Sequence, residues 1–309
     1  SRRQSLVLNA DGPWTVSHIP EWCAVSPQSG VGKAEVTLTI NELAHGAGHR
    51  ADSVVFILAD GGHKTWCKVS QYDYEYDEDE VITLQKATQG NGIDMIFIGD
   101  GWDGEAISNG SYLALVLEQV EHFFCVEPYT TYRDYFNVYA GIALSQETGV
   151  NTLNTYRDTR FGTIYGGGGC NGAEPHMSVE KDLIFNYVTQ HSPIQKSNLW
   201  KSLVVLVPNS TDYGGCTQLY EDGRAISICC PSNAQYPNDT RGIIQHEAGG
   251  HGFGKLADEK VMKNLFADRV TTDRIEDFHR RGWYQNVAIS GKMSDVPWSH
   301  FIFDPEYSD

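Results

Sequence analysis

A stretch near the end of the chain, residues 245–259, restricts most strongly how this sequence can fold. It reads Gln-His-Glu-Ala-Gly-Gly-His-Gly-Phe-Gly-Lys-Leu-Ala-Asp-Glu, so His246 and His251 stand five positions apart. In an α-helix five steps turn the chain by about 500°, and the two imidazoles would diverge by about 140°. A π-bulge absorbs one extra residue and returns positions i and i+5 to one face, and glycine tolerates the dihedral angles this requires. We therefore predict a widened helix here.

Two histidines on one helix face, with a glutamate after the first, are typical of a zinc site that activates water for hydrolysis. A catalytic zinc ion takes three protein ligands and keeps one open position, and His246 and His251 supply two. The third is expected where Gly254 lets the chain leave the helix and turn back. Asp258 is the preferred third ligand, because a short carboxylate on a turn loses less conformational entropy on reaching the ion. Its neighbour Glu259 is the alternative.

Glu247 follows the first histidine directly and is the predicted general base. It would take a proton from a metal-activated water and pass it to the leaving amine. The oxyanion would need a further donor, for which His300 and Tyr284 are the weaker candidates. On spacing alone a second interpretation stays open, in which Glu-Ala-Gly-Gly forms a loop that binds no metal.

The pattern of the chain changes near residue 73. Residues 1–72 contain short apolar runs, such as 36–40 and 53–58, separated by turns rich in Gly, Pro and Asp. This pattern predicts an all-β sandwich. The acidic segment 73–82 is expected to be a solvated linker. Residues 83–309 alternate strand-like and helical patterns and are predicted to form an α/β domain.

Within this second part, apolar runs of five to nine residues predict strands, and apolar residues at helical spacing predict helices. The predicted strands are 93–101, 136–143, 200–207 and 225–230, and the predicted helices are 111–124 and 179–188. The strand at 225–230 is interpreted as a sheet edge beside the cleft.

The N-terminal segment contains Trp14-Thr15-Val16, Pro20-Glu21-Trp22, Ser26-Pro27-Gln28-Ser29-Gly30 and Val69-Ser70-Gln71 in this order. In these features it resembles the BACON domain, an immunoglobulin-like module found ahead of enzymes in exported proteins. The resemblance implies an immunoglobulin-like sandwich that serves as a spacer or as a mucin-docking module.

Several separated blocks occur in order in the second part: 92–101, 135–139, 143–145, 161–163 and 246–259. Together they resemble the IgA-specific metallo-endopeptidase family. The resemblance implies a zincin-like (metzincin-like) fold and zinc-dependent cleavage of proteins, with His246, His251 and the acidic residue at position 258 on the metal and Glu247 as base. The family helix usually has one residue fewer between its histidines. No Met-turn is recognisable around Met293, which leaves open a truncation of this domain at its C-terminus.

Charge and composition limit the classes of binding partner that this chain can have. A net charge of −17 argues against a nucleic-acid backbone or an anionic membrane as the binding partner. The sequence has no apolar run long enough to span a bilayer. Its seven cysteines include no CxxC pair and do not decide the compartment. By the two resemblances we expect a secreted or cell-surface protein, either periplasmic or anchored to the outer membrane.

The sequence therefore predicts an exported zinc endopeptidase whose partners are proteins or peptides, glycoproteins and mucins among them. Two other interpretations stay open. In one, a carbohydrate- or mucin-binding surface protein carries an inactive peptidase-like domain. In the other, the zinc is structural and a fourth protein ligand takes the place of water.

Overall fold

The computed structural model describes residues 2–43, 48–59, 63–73, 76–166, 177–212, 214–258, 269–302 and 304. The chain divides into two compact units. One is formed by Ser1–Asp77 together with Glu105–Ala114, and the other by Glu78–Gly104 together with Leu115–Asp309.

Seven strands and no helix occur among the described residues up to position 73. These are β1 (Arg2–Leu8), β2 (Pro13–His18), β3 (Cys23–Ser26), β4 (Ser29–Val31), β5 (Ala34–Ile40), β6 (Gly48–Leu58) and β7 (Lys64–Asp73). They pair antiparallel in two sheets, of order β1-β5-β3 and β4-β2-β6-β7.

The two sheets share one hydrophobic core. In β5 every second residue is buried, at Val36, Leu38 and Ile40, because side chains alternate between the faces of a strand. Trp14 and Phe56 of the second sheet belong to the same buried cluster. The segment is thus built from two sheets that cover each other's apolar faces.

The rest of the chain contains both strands and helices. The strands are β8 (Val81–Gln85), β9 (Ile93–Asp100), β10 (Phe136–Gly141), β11 (Asn151–Thr152), β12 (Ile164–Tyr165), β13 (Met177–Ser178), β14 (Leu203–Pro208), β15 (Gly215–Leu219) and β16 (Ala225–Cys229). The helices are α1 (Gly104–Ser108), α2 (Ser111–Phe124), α3 (Lys181–His191), α4 (Thr240–Ile244), the π-helix Gln245–Phe253, α5 (Arg269–Arg280) and α6 (Ser299–Ile302).

A six-stranded sheet of order β15-β16-β14-β9-β10-β8 forms the frame of the second unit. Its four middle strands run parallel, and the two edge strands pair antiparallel. All six residues of β14 are buried, as expected for a parallel strand covered on both faces. The predicted α/β class is confirmed.

The sheet edge differs from the prediction. Residues 225–229 form β16, which lies one strand inside, and the edge is β15 (Gly215–Leu219). β15 is not among the predicted strands, because its Gly, Thr and Gln residues give this short segment little apolar character. All five residues of β16 are buried, which fits a strand flanked on both sides.

The end of the acidic segment, from Glu78 onward, belongs to the second unit. Asp79 accepts hydrogen bonds of 2.7 and 2.9 Å from Arg160, and Glu78 forms a weaker ion pair of 3.4 Å with the same guanidinium. Asp79 adopts a left-handed φ of 66°. These contacts fix the chain just before β8 begins.

In the part of the chain that the structure describes, every helix is too short or too polar to cross a bilayer.

Candidate metal centre

The segment that carries the two histidines is a widened helix. α4 continues without a break into the π-helix Gln245–Phe253. The helix begins at Asp239, whose side chain accepts a hydrogen bond of 2.8 Å from the Gly242 amide and so acts as the N-cap. The π-bulge predicted from the spacing of the histidines is confirmed.

The π-helix brings His246 and His251 together. Their Nε2 atoms are 3.1 Å apart, and their rings meet at 82° with centroids 4.5 Å apart. The Nδ1 atom of His251 lies 2.8 Å from the Leu256 carbonyl oxygen. Donation to that oxygen selects the tautomer whose Nε2 carries the lone pair. Both Nε2 atoms are therefore oriented toward the same point.

Asp258 joins the histidines from the turn that follows the helix. One ligand atom from each of His246, His251 and Asp258 lies within 4.8 Å of the other two. The alternative ligand, Glu259, falls outside the described residues, so the ranking of the two carboxylates stays a prediction.

The turn that leads to Asp258 uses a different residue from the one expected. Gly254 keeps a helical φ of −69°, whereas Lys255 is left-handed with a φ of 51°. A non-glycine residue in this conformation is strained and needs support from its surroundings. Glycine is needed at 254 for space, because an added Cβ would lie 2.9 Å from the Gly250 carbonyl oxygen.

A segment close to the C-terminus holds this turn. The Asn286 side chain accepts a hydrogen bond of 2.8 Å from the Ala257 amide and donates one of 2.9 Å to the Ala257 carbonyl. The Tyr284 amide donates to the Lys255 carbonyl at 2.8 Å. Because Ala257 precedes Asp258, these bonds position the carboxylate of that residue.

Replacing Asn286 with Ala is expected to weaken zinc binding by about tenfold, the lower end of the effect of groups that orient metal ligands. Competition against a chromogenic chelator would measure the affinity. Gln285→Ala, at the exposed neighbouring position, is the matched control and should bind zinc like wild type. Equal affinity of both variants would show that Asn286 does not position the ligand turn.

The Glu247 side chain packs against the edge strand β15. Its carboxylate accepts a hydrogen bond of 3.0 Å from the Thr217 hydroxyl of β15, and an added Cβ at Gly215 would lie 2.5 Å from its Cγ. Burial raises the pKa of Glu247 to about 7, while nearby His251 and the Thr217 hydrogen bond act in the opposite direction. A carboxyl group with this pKa can both take up and release a proton near neutral pH.

The π-helix also packs tightly on the sheet and on one aromatic ring. At Gly252 an added Cβ would clash with the Ser227 hydroxyl and lie 2.8 Å from Leu203 Cδ1. The Tyr129 hydroxyl donates to the Gly249 carbonyl at 2.6 Å, and burial raises the pKa of this phenol to about 12. That bond satisfies a carbonyl in the widened turn.

Lys255, at the left-handed turn, has a half-buried side chain. Its Nζ donates a hydrogen bond of 2.6 Å to the Gly252 carbonyl. Burial lowers the pKa of Lys255 to about 8, because desolvation disfavours the charged form. The unfolded chain, with a lysine pKa of about 10.4, therefore binds more protons than the folded chain between these two values. The contribution to stability rises with pH across this window.

We accordingly expect wild type to gain stability relative to Lys255→Met as the pH rises from about 8 to about 10, by up to about 1.4 kcal/mol per pH unit. Below about pH 8 both states keep the proton, so the difference between the variants should be constant there. Urea unfolding of the zinc-free proteins at a series of pH values measures this. A difference that stays flat up to about pH 10 would contradict a depressed lysine pKa.

The side chains of the two weaker candidates for the oxyanion donor, His300 and Tyr284, contact other aromatic rings. The His300 ring stacks on Phe301, with centroids 4.0 Å apart, and His300 is not in the ligand group found among the described residues. The Tyr284 ring packs on Phe278 at 4.8 Å, and the backbone of Tyr284 supports the ligand turn. An oxyanion role for either side chain stays a prediction.

The donor set of the three residues suits a zinc ion. Two nitrogens bound to one tetrahedral zinc at about 2.0–2.1 Å are about 3.3 Å apart, close to the 3.1 Å between His246 Nε2 and His251 Nε2. Without an ion, an N–H of one imidazole can donate to the lone pair of the other at this distance, and a bound cation would take the place of that proton. Two neutral imidazoles and one carboxylate leave the ion a further position for water.

A comparison with models of protein families gives a match that covers most of the second unit. A family model described as IgA Peptidase M64 matches residues 82–306. No match was found among curated proteins. Among solved structures, a Bacteroides ovatus GH5 xyloglucanase in complex with a XXXG heptasaccharide aligns with 67% of this chain and 41% of its own, at 12% identity and a TM-score of 0.22. The chain thus spans less than half the length of that enzyme, and this likeness carries no argument.

Proposed function

The chain belongs to the IgA peptidase M64 family, and on this basis we propose that it is a zinc-dependent endopeptidase that hydrolyses peptide bonds of extracellular proteins. His246, His251 and Asp258 hold the zinc ion, and Glu247 is the general base. The observation that carries the proposal is the convergence of two Nε2 atoms to 3.1 Å on a π-helix, with Asp258 beside them.

The chain's own groups supply orientation and proton transfer. His251 is fixed through its Nδ1 by the Leu256 carbonyl, and Glu247 is fixed by Thr217. Zinc, when bound, acts as a Lewis acid that lowers the pKa of water and polarises a carbonyl group. The Glu247 carboxylate takes a proton from the attacking water and delivers it to the amide nitrogen that leaves.

The edge strand β15 suggests how a substrate is aligned. β15 pairs with β16 on one side, and its Thr217 contacts the carboxylate of the base. An extended peptide can add to a sheet edge through main-chain hydrogen bonds. A peptide paired with the outer side of β15 would pass beside Glu247, which supports cleavage within an extended segment.

The finer assignments of fold and location belong to the same proposal. A mixed sheet with an antiparallel edge strand beside the metal helix supports a zincin-like domain over 83–309. Two sheets around one core support a BACON-like, immunoglobulin-like spacer over 1–72, with 73–82 as the linker. The likeness of both parts to exported modules supports a secreted or surface location.

Metal removal tests the proposal directly. The protein as purified is expected to contain about one zinc per chain and to cleave unfolded casein. Dialysis against a chelator should abolish cleavage, and stoichiometric zinc should restore it. A protein that binds zinc tightly but leaves casein and a panel of unfolded proteins intact would instead favour a structural zinc site.

A further inference from the structure

A cavity of about 850 Å³ lies in the second unit, where β9, β14 and β16 begin. It is lined by residues just before or at the start of these strands, among them Asp94, Ser202 and Gly223. The end of the π-helix, at Gly252 and Phe253, forms another part of the wall. None of the three ligand residues lines it, so this cavity is a feature apart from the metal site.

Two tryptophans flank a glycine turn in this cavity. An added Cβ at Gly223 would lie 3.5 Å from Trp200 and 3.6 Å from Trp283, and Gly223 has a φ of 90° that favours glycine. Trp200 is 58% exposed. An indole this open contributes little to a core, and part of its apolar surface is available to a ligand.

The polar lining is balanced in charge. Three acidic and three basic side chains line the cavity: Asp94, Glu221, Asp222, Lys201, Lys255 and Arg281. Several of these charges already have partners within the protein. Asp222 accepts from Arg224 at 2.7 Å, and Arg281 pairs with Asp277 at 2.8 Å. A balanced lining gives no electrostatic preference for an anion or a cation.

Amide side chains complete the lining. Asn91 and Asn198 both contribute to the wall, and a primary amide offers two donors and one acceptor to a ligand. Small-molecule sites have volumes of about 300–1,000 Å³ and combine apolar surface with a few placed polar groups. A ligand that suits this wall has an apolar face for an indole and many neutral hydroxyl groups.

We propose that this cavity binds a short neutral oligosaccharide. The C–H face of one sugar ring stacks on Trp200, and hydroxyl groups exchange hydrogen bonds with Asn91 and Asn198. The site would act independently of the metal, because neither the ligands nor Glu247 line it.

Saturation-transfer NMR and calorimetry with three neutral probes test the proposal. The probes are triacetylchitotriose, mannotriose and N-acetyllactosamine, each titrated into the full chain. At least one is expected to saturate with a Kd below about 10 mM, a weak but specific affinity. Trp200→Ala should weaken that binding by about tenfold, since stacking and burial of an indole contribute on this scale.

Matched variants make the result decisive. Trp66→Ala removes an indole that is 69% exposed on β7 and does not line the cavity, and it should bind the probe like wild type. Asn91→Ala, at an exposed position, gives a second test and should weaken binding about threefold. Glu247→Gln should leave it unchanged, which separates this site from the peptidase. The proposal is overturned if no probe saturates, or if Trp200→Ala and Asn91→Ala both bind like wild type.

Discussion

Replacing Glu247 with Gln is expected to lower the rate of peptide hydrolysis by about 10²- to 10⁴-fold, the contribution of a positioned general base. Glutamine has the same shape and still accepts a hydrogen bond from Thr217, which lies 3.0 Å from the carboxylate. Its amide cannot take up a proton from water. The loss should therefore appear in kcat, with little change in KM.

The test of this variant needs zinc content and activity from the same preparation. Glu247→Gln should retain zinc, because the three ligand residues remain. Glu105→Gln, at an exposed position of α1, controls for the loss of one negative charge and should cleave casein like wild type. Full activity of the Glu247→Gln enzyme would show that another group is the base.

Replacing His251 with Ala is expected to abolish zinc binding at the concentrations used for assay. The affinity should fall by more than about 10²-fold, since losing a ligand exceeds the 10- to 100-fold loss caused by altering a group behind one. The Leu256 carbonyl also loses its hydrogen-bond donor, 2.8 Å away. Cleavage should disappear with the metal.

Zinc analysis after dialysis, together with a chelator competition, measures this loss. His18→Ala is a suitable control, because His18 contacts Asp52 at 3.0 Å in the N-terminal strands and should leave the zinc content unchanged. If His251→Ala retained one tightly bound zinc per chain, the assignment of this imidazole as a ligand would be wrong.

The widened helix could be predicted from the sequence because its cause is local. Two histidines five positions apart, with glycines between them, leave few ways for both imidazoles to meet on one face. The buried strands β9 and β14 could be predicted for the same reason. Each depends on residues within one turn or one strand.

The features of the site that could not be predicted from the sequence depend on contacts between residues that are distant in the chain. Thr217 lies 30 positions before Glu247, on a strand with little apolar signal. Asn286 lies 29 positions after Ala257, and no short pattern links the two. The left-handed turn was expected at Gly254 and occurs at Lys255, because packing against the Gly250 carbonyl decides where glycine is needed.

The hydrogen bonds from Tyr284 and Asn286 to the ligand turn set the order in which the enzyme can be completed. During synthesis the histidines leave the ribosome well before the residues that hold Asp258. A nascent chain at that stage has two imidazoles but no anchored carboxylate. We therefore expect peptidase activity to arise only after the residues that hold Asp258 have been synthesised.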